Sequence, residues 1–111
     1  MPRPGEQQAV KGLRQLDELL QHRTRLGACV LLSGTDALSF VRLRELLQES
    51  DGNLGAHLRK LEEAGYIEVK KAYAARKPVS WYRLTVRGRK VLKAHLDGLE
   101  ELIRGVHDPE S

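Results

Sequence analysis

The stretch 51-DGNLGAHLRKLEEAGYIEVKK-71 gathers side chains able to read a polyanion. The amide of Asn53 can donate and accept at once, the pattern that matches an adenine edge. Arg59 and Lys60 supply charge, and His57 adds a ring that can donate. Gly52, Gly55 and Ala56 contribute almost no bulk, although glycine costs a helix interior roughly 1 kcal/mol relative to alanine. Just downstream, residues 66–90 hold eight basic side chains (Lys70, Lys71, Arg76, Lys77, Arg83, Arg87, Arg89, Lys90) against Glu68 alone. By contrast, residues 1–65 carry nine basic and nine acidic residues, and residues 91–111 two basic and five acidic. A basic block in a balanced chain is the footprint of a surface for nucleic acid. A solvated hairpin that happens to be basic is the alternative.

Other chemistries find little support. The lone cysteine, Cys29, excludes an internal disulfide, and within 28-ACVLL-32 it reads as a small buried hydrophobe rather than a redox thiol. His22, His57, His95 and His107 show no metal-ligand spacing, so no metal and no cofactor are expected. There is no phosphate-cradling glycine loop and no recognisable nucleophile set, so the chain is not expected to be an enzyme. No apolar run approaches the ~18 residues of a membrane span. The N-terminal MPRPGEQQ lacks the apolar core of a secretory signal, which points to the cytoplasm.

These residues need elements to position them. Residues 1–5 and 107–111 read as disordered ends around one domain, 6–106. Val10, Leu13, Leu16 and Leu20 predict a helix from Glu6 to Leu20. A second helix covers 22–34, ending on Gly34, and a short strand follows at 38–40. The run 41-VRLRELLQ-48 predicts a short helix with Val41, Leu43, Leu46 and Leu47 inward. Ser50 or Asp51 caps the next helix, Asp51 to Ala64, whose Leu54, Leu58 and Leu61 share a stripe. Gly65 ends it. Period-two patterns at 66–73 and 79–84 then predict a hairpin around a basic tip, 74-AARKP-78. In the second strand Trp81 and Tyr82 must face opposite sides, and Tyr66 and Tyr73 are expected to flank the hairpin structurally. Thr85 caps a last helix seamed by Leu92, Leu96, Leu99, Ile103 and Val106. The fold class is mainly α with a small β-hairpin: a winged helix-turn-helix with terminal dimerisation helices.

Together 44-RELLQESDGNLGAHLRKLEEAGYIEVKK-71 and 81-WYRLTVRGRKVL-92 resemble the small winged-helix transcriptional regulators related to the MarR and ArsR families. The resemblance covers about Leu16 to Leu102. It implies a homodimer that binds double-stranded DNA through the helix from Asp51 and through the wing. By family analogy it also implies a cleft for a small-molecule effector. Many relatives carry serine at the position of Gly55 and glycine at that of Ala75.

With Leu54 facing the core and about 100° per residue, Gly52, Ala56, Arg59 and Glu63 point outward. Asn53, Ala56, His57, Arg59 and Lys60 are therefore the expected major-groove residues. Arg76 and Lys77, with Lys70 and Lys71 on the strands, form the expected wing contacts. Arg83, Arg87 and Arg89 are expected to meet phosphates. The two glycines either clear space for DNA or relieve crowding against the preceding helix. Val10, Leu13, Leu16, Leu92, Leu96, Leu99 and Ile103 are expected at a twofold interface, unless both stripes pack on their own domain. A regulator, reading an inverted repeat as a repressor, is the leading expectation. A sequence-tolerant architectural DNA-binding protein and a protein-interaction module are the alternatives.

Overall fold

The computed structural model describes Met1 and residues 3–106. The tail 107–111, expected to be disordered, lies outside the described residues, as does Pro2. Helix α1 (Pro4–Gln15) begins earlier than expected: Pro4 sits in its first turn, and the Arg3 N–H donates to the Glu6 carboxylate at 3.0 Å. Pro4 and Gly5 are therefore helical, not part of a disordered end.

The first helix also stops five residues short of Leu20. Leu16 turns extended, with ψ 137°, and Asp17 then redirects the chain. Its N–H donates to His95 Nδ1 at 2.9 Å, while Oδ1 accepts from the N–H groups of Leu19 at 3.0 Å and Leu20 at 3.3 Å. That starts a single 3-10 turn, Leu19–Gln21, which drops Leu20 into the core. Aspartate favours such local capping over continuing a helix.

Helices α2 (Arg23–Ser33), α3 (Phe40–Leu47), α4 (Asp51–Glu63) and α5 (Val86–Arg104) follow, with strands β1 (Leu38–Ser39), β2 (Ile67–Ala74) and β3 (Lys77–Leu84). The strands form an antiparallel sheet in the order β1-β3-β2, pairing Leu38 with Tyr82 and Ile67 with Leu84. Hydroxyls cap three helices: Ser39 accepts from Arg42 N–H, Ser50 from Asn53 N–H and Thr85 from Gly88 N–H. Between α3 and α4 the chain turns through Gln48, in the left-handed region at φ 54°.

The core joins Leu20, Ala28, Cys29 and Leu32 to Leu43, to the α4 stripe Leu54, Leu58 and Leu61, and to Ile67, Leu84 and Leu92. Of the four apolar residues expected inward on α3, Leu43 is buried and Leu47 half-buried, but Val41 and Leu46 are 49% and 42% exposed. The reason is angular. Val41 lies about 200° from Leu43 around an α-helix, so one face cannot bury both.

Helices α1 and α5 pack antiparallel as an arm. A Cβ on Gly12 would sit 2.6 Å from the Gly98 carbonyl oxygen, and one on Gly98 2.7 Å from that of Gly12. Gly5 and Gly105 meet in the same way seven residues further out, giving the arm a glycine seam. The expectation for the terminal stripes therefore needs correction. Leu92 is buried in the core and is no interface residue; Leu16 and Leu99 are half-buried within the chain. Val10, Leu13, Leu96 and Ile103 remain exposed, at 45%, 59%, 41% and 72%.

Two tests follow from this packing. Gly98→Ala forces a methyl against backbone, and overpacking of this kind typically costs about 1–3 kcal/mol. Thermal unfolding should shift down by roughly 5–15 °C. His95 is buried, accepts a hydrogen bond at Nδ1, and titrates below its usual value of 6.5 because of burial, against an opposing pull from Asp17. The unfolded chain thus takes the proton first. Stability should be full above pH 6.5 and fall as the pH drops towards the depressed folded value, by at most about 1.4 kcal/mol per unit from this group. Denaturant titrations at several pH values should show a shallower decline for His95→Gln.

Candidate nucleic-acid interface

The α4 stripe of Leu54, Leu58 and Leu61 is essentially inaccessible. Burying it turns Gly52, Asn53, Ala56, Arg59 and Lys60 to solvent, as the helical angles predict. A Cβ built on Gly52 or on Gly55 meets no atom within 4 Å. Crowding against the preceding helix is thus not why the glycines are there; the space beside them is empty. At the leading end Arg44 Nη1 donates to Asp51 Oδ1 at 2.7 Å, so that carboxylate arrives already neutralised by α3.

His57 is half-buried at the edge of the core. Its ring lies 4.1 Å from that of His22, and Arg25 Nη1 donates to its Nδ1 at 3.1 Å. Burial, then the neighbouring His22 and Arg25, push its pKa down. The ring fastens α4 to α2 and is turned off the exposed face. An i+3 position from the core leucine Leu54 lies close to the buried stripe, which is why it is drawn in.

The hairpin is tighter than expected. Strands β2 and β3 pair to Ala74–Lys77, leaving only Ala75 and Arg76 in the turn, with φ of 50° and 67°. Two positive φ values define the turn that matches strand twist, usually built from Asn and Gly. Here the ladder holds an alanine and an arginine in that conformation, so Arg76 projects from the extreme tip and Lys77 begins the return strand.

The pleat sorts the remaining wing residues by face. Ile67, Val69, Lys71 and Tyr73 share the face of Leu84, Tyr82, Ser80 and Pro78 that packs on α4 near the core. Glu68, Lys70, Arg83, Trp81 and Lys77 take the other face. Lys70 and Lys71 therefore point to opposite sides. Arg83 Nε lies 3.3 Å from Glu68 Oε1, Arg87 lies 5.9 Å over the Tyr66 ring, and Arg89 donates to the Ser33 carbonyl at 3.4 Å. Those three arginines are engaged by the protein. Arg59, Lys60, Lys70, Lys71, Arg76 and Lys77 make no ion pair among the described residues.

The tyrosines divide sharply. The Tyr66 hydroxyl donates to Asp17 Oδ2 at 2.6 Å, and burial with that bond lifts its pKa to about 12. Tyr73, expected to be structural, is 81% exposed. The period-two count could have found it: the α4-facing side is covered at Ile67 and Val69 but not six residues along. Trp81 is outward and Tyr82 inward beside Phe40, in accord with their predicted division.

Burial raises the Cys29 thiol to about 12, leaving it without the thiolate that redox chemistry needs. No cluster of three potential metal ligands occurs among the described residues, and no helix there is long and apolar enough to cross a membrane. A cleft of about 340 Å³ lies between α5 and the end of α2, lined by Ser33, Arg89, Leu92, Leu96 and Asp97 among others.

Comparison with known proteins places this geometry. The family model described as a winged helix DNA-binding domain matches residues 24–103. An uncharacterized protein of Methanocaldococcus jannaschii is 33% identical over 82 residues, spanning 74% of this chain and 89% of its own. The structure is similar to a transcriptional regulator homologue from Pyrococcus horikoshii, with a TM-score of 0.76, 26% identity, and coverage of 93% of this chain and 97% of that one. It shares its fold with Sco3205, a MarR family transcriptional regulator from Streptomyces coelicolor solved in complex with DNA. There the TM-score is 0.63 at 19% identity, over 99% of this chain and 83% of that one.

The empty space beside α4 has a direct test. Gly55→Ala should stabilise the fold by about 0.5–1 kcal/mol, because it improves helix propensity and touches nothing. A lower melting temperature for this variant would mean that the site is crowded after all.

Proposed function

The chain belongs to the winged helix DNA-binding domain family, and on that premise we propose that it is a homodimeric transcriptional repressor occupying an inverted-repeat operator. Its family and structural neighbours are regulators and not enzymes. The observation that carries the proposal is the bulk-free leading face of α4, where two glycines border empty space beside Asn53, and Arg59 and Lys60 make no ion pair among the described residues. A helix enters the major groove by its N-terminal residues, and small side chains there let the backbone come close. Asn53 offers the bidentate amide for adenine; Arg59 and Lys60 flank it for guanine or phosphate. Arg76 enters the adjacent minor groove, whose narrow, electronegative stretches attract arginine.

The arm supplies the twofold contact. A second copy would bury its exposed apolar residues, Val10 and Leu13 on α1 and Leu96 and Ile103 on α5, setting two recognition helices about one DNA turn (~34 Å) apart. The cleft at the base of α5 has the volume for a small effector and adjoins both the arm and the core. DNA binding would place the protein's work in the cytoplasm.

A second reading, a sequence-tolerant architectural protein, draws support from the shortness of the readout face: glycine and alanine carry no hydrogen-bonding side chain. Sequencing genomic fragments retained at about 150 mM salt separates the two, because that salt strips weak phosphate-only binding. An enriched short inverted repeat is expected; retention without a motif would transfer the case to the architectural reading, and no retention would favour an acidic protein partner. Alanine at both Arg76 and Lys77 should weaken binding on every sequence and lower the salt slope by up to about two. An unchanged slope would remove the wing from the interface.

A further inference from the structure

We propose that the side of the wing carrying Lys71 and Tyr73 crosses the DNA backbone, and that the Tyr73 ring packs on a deoxyribose between the two grooves. This rests on the DNA-binding reading above and assigns its geometry. Near the core this face is covered by α4, which packs against β2. From Tyr82 the same face continues outward through the pairs Ser80–Lys71 and Pro78–Tyr73 to the turn at Arg76. Each of Lys71, Tyr73 and Arg76 is exposed.

The distances suit the duplex. Six residues of strand from Tyr82 to Arg76 span about 20 Å. Adjacent groove centres along B-DNA lie about 17 Å apart, half of a ~34 Å turn. With α4 in the major groove, Arg76 reaches the minor groove, and Lys71 and Tyr73 cross the backbone between them. Lys71 meets the phosphate and Tyr73 the sugar edge beyond it. A tyrosine 81% exposed on a basic hairpin has no packing role inside the chain, and its flat apolar ring beside Pro78 fits a sugar better than water. On the opposite face Glu68 holds Arg83 in an ion pair, and Lys70 and Lys77 lie to either side of the exposed Trp81.

The test uses the full chain and a mixed-sequence duplex of about 30 base pairs, titrated between about 50 and 200 mM salt. Binding by the wild type with a steep salt slope is the control for the underlying reading; its absence would overturn that reading and this one with it. Tyr73→Ala should bind about tenfold more weakly at every salt concentration with the slope unchanged, since an apolar contact releases no counterions. Tyr73→Phe should stay within about twofold, and so should Trp81→Ala on the far face. If the wild type binds but Tyr73→Ala stays within twofold of it, the inference fails while DNA binding stands. A Tyr73→Phe loss as large as that of alanine would assign the contact to the hydroxyl and overturn the sugar packing. Weakening by Trp81→Ala alone would put the other face of the wing on DNA.

Discussion

The carboxylate and N–H of Asp17 gather four hydrogen bonds from three parts of the chain: Leu19 and Leu20 just ahead, Tyr66 at the entrance to the wing, and His95 midway along α5. A half-buried carboxylate is costly to desolvate unless its acceptor sites are filled. Here they are filled by the N–H groups of Leu19 and Leu20 and by the Tyr66 hydroxyl, while His95 on the arm accepts from the Asp17 N–H. The junction ends α1, begins the turn that seats Leu20, and fixes α5 against the start of β2. The arm and the DNA-binding half therefore share one polar joint, and a shift of α5 at His95 must be felt at Tyr66.

From that joint outward the molecule alternates tight and open places. The glycine seam lets α1 and α5 approach until backbone nearly touches backbone, while apolar residues on each helix stay exposed. On α4 the same residue type does the reverse. Gly52 and Gly55 border nothing, and their cost in helix propensity has no packing return within the chain. His57 clamps α4 to α2 through His22 and Arg25, so the open face belongs to a helix held firmly from behind. A rigid element with a bare leading edge is what close approach to a duplex requires.

Much of this was legible from the order of residues. Leucines at 54, 58 and 61 fix which side of α4 is buried, and hence the outward placing of Asn53, Ala56, Arg59 and Lys60. Period two from Ile67 to Leu84 fixes a hairpin and separates Trp81 from Tyr82. Ser50 and Thr85 mark two helix starts. Elsewhere local pattern misled. The stripe Val10, Leu13, Leu16, Leu20 is continuous on a helical wheel, but Asp17 breaks the helix because His95 and Tyr66, distant in sequence, claim its polar atoms. Arg83 and Arg89 count as basic in any tally, although Glu68 and the Ser33 carbonyl engage them.

Sequence by itself determined the family of fold, the elements and their buried stripes, because helical and strand periodicities are set by neighbours within a few positions. It also determined where positive charge concentrates. Only the tertiary structure decided which of those charges are unpaired among the described residues, that His57 meets His22 and Arg25, that Leu92 belongs to the core, and that one class of glycine borders backbone while another borders empty space. Each of these depends on a partner tens of residues away, or on the absence of one. No local pattern encodes that.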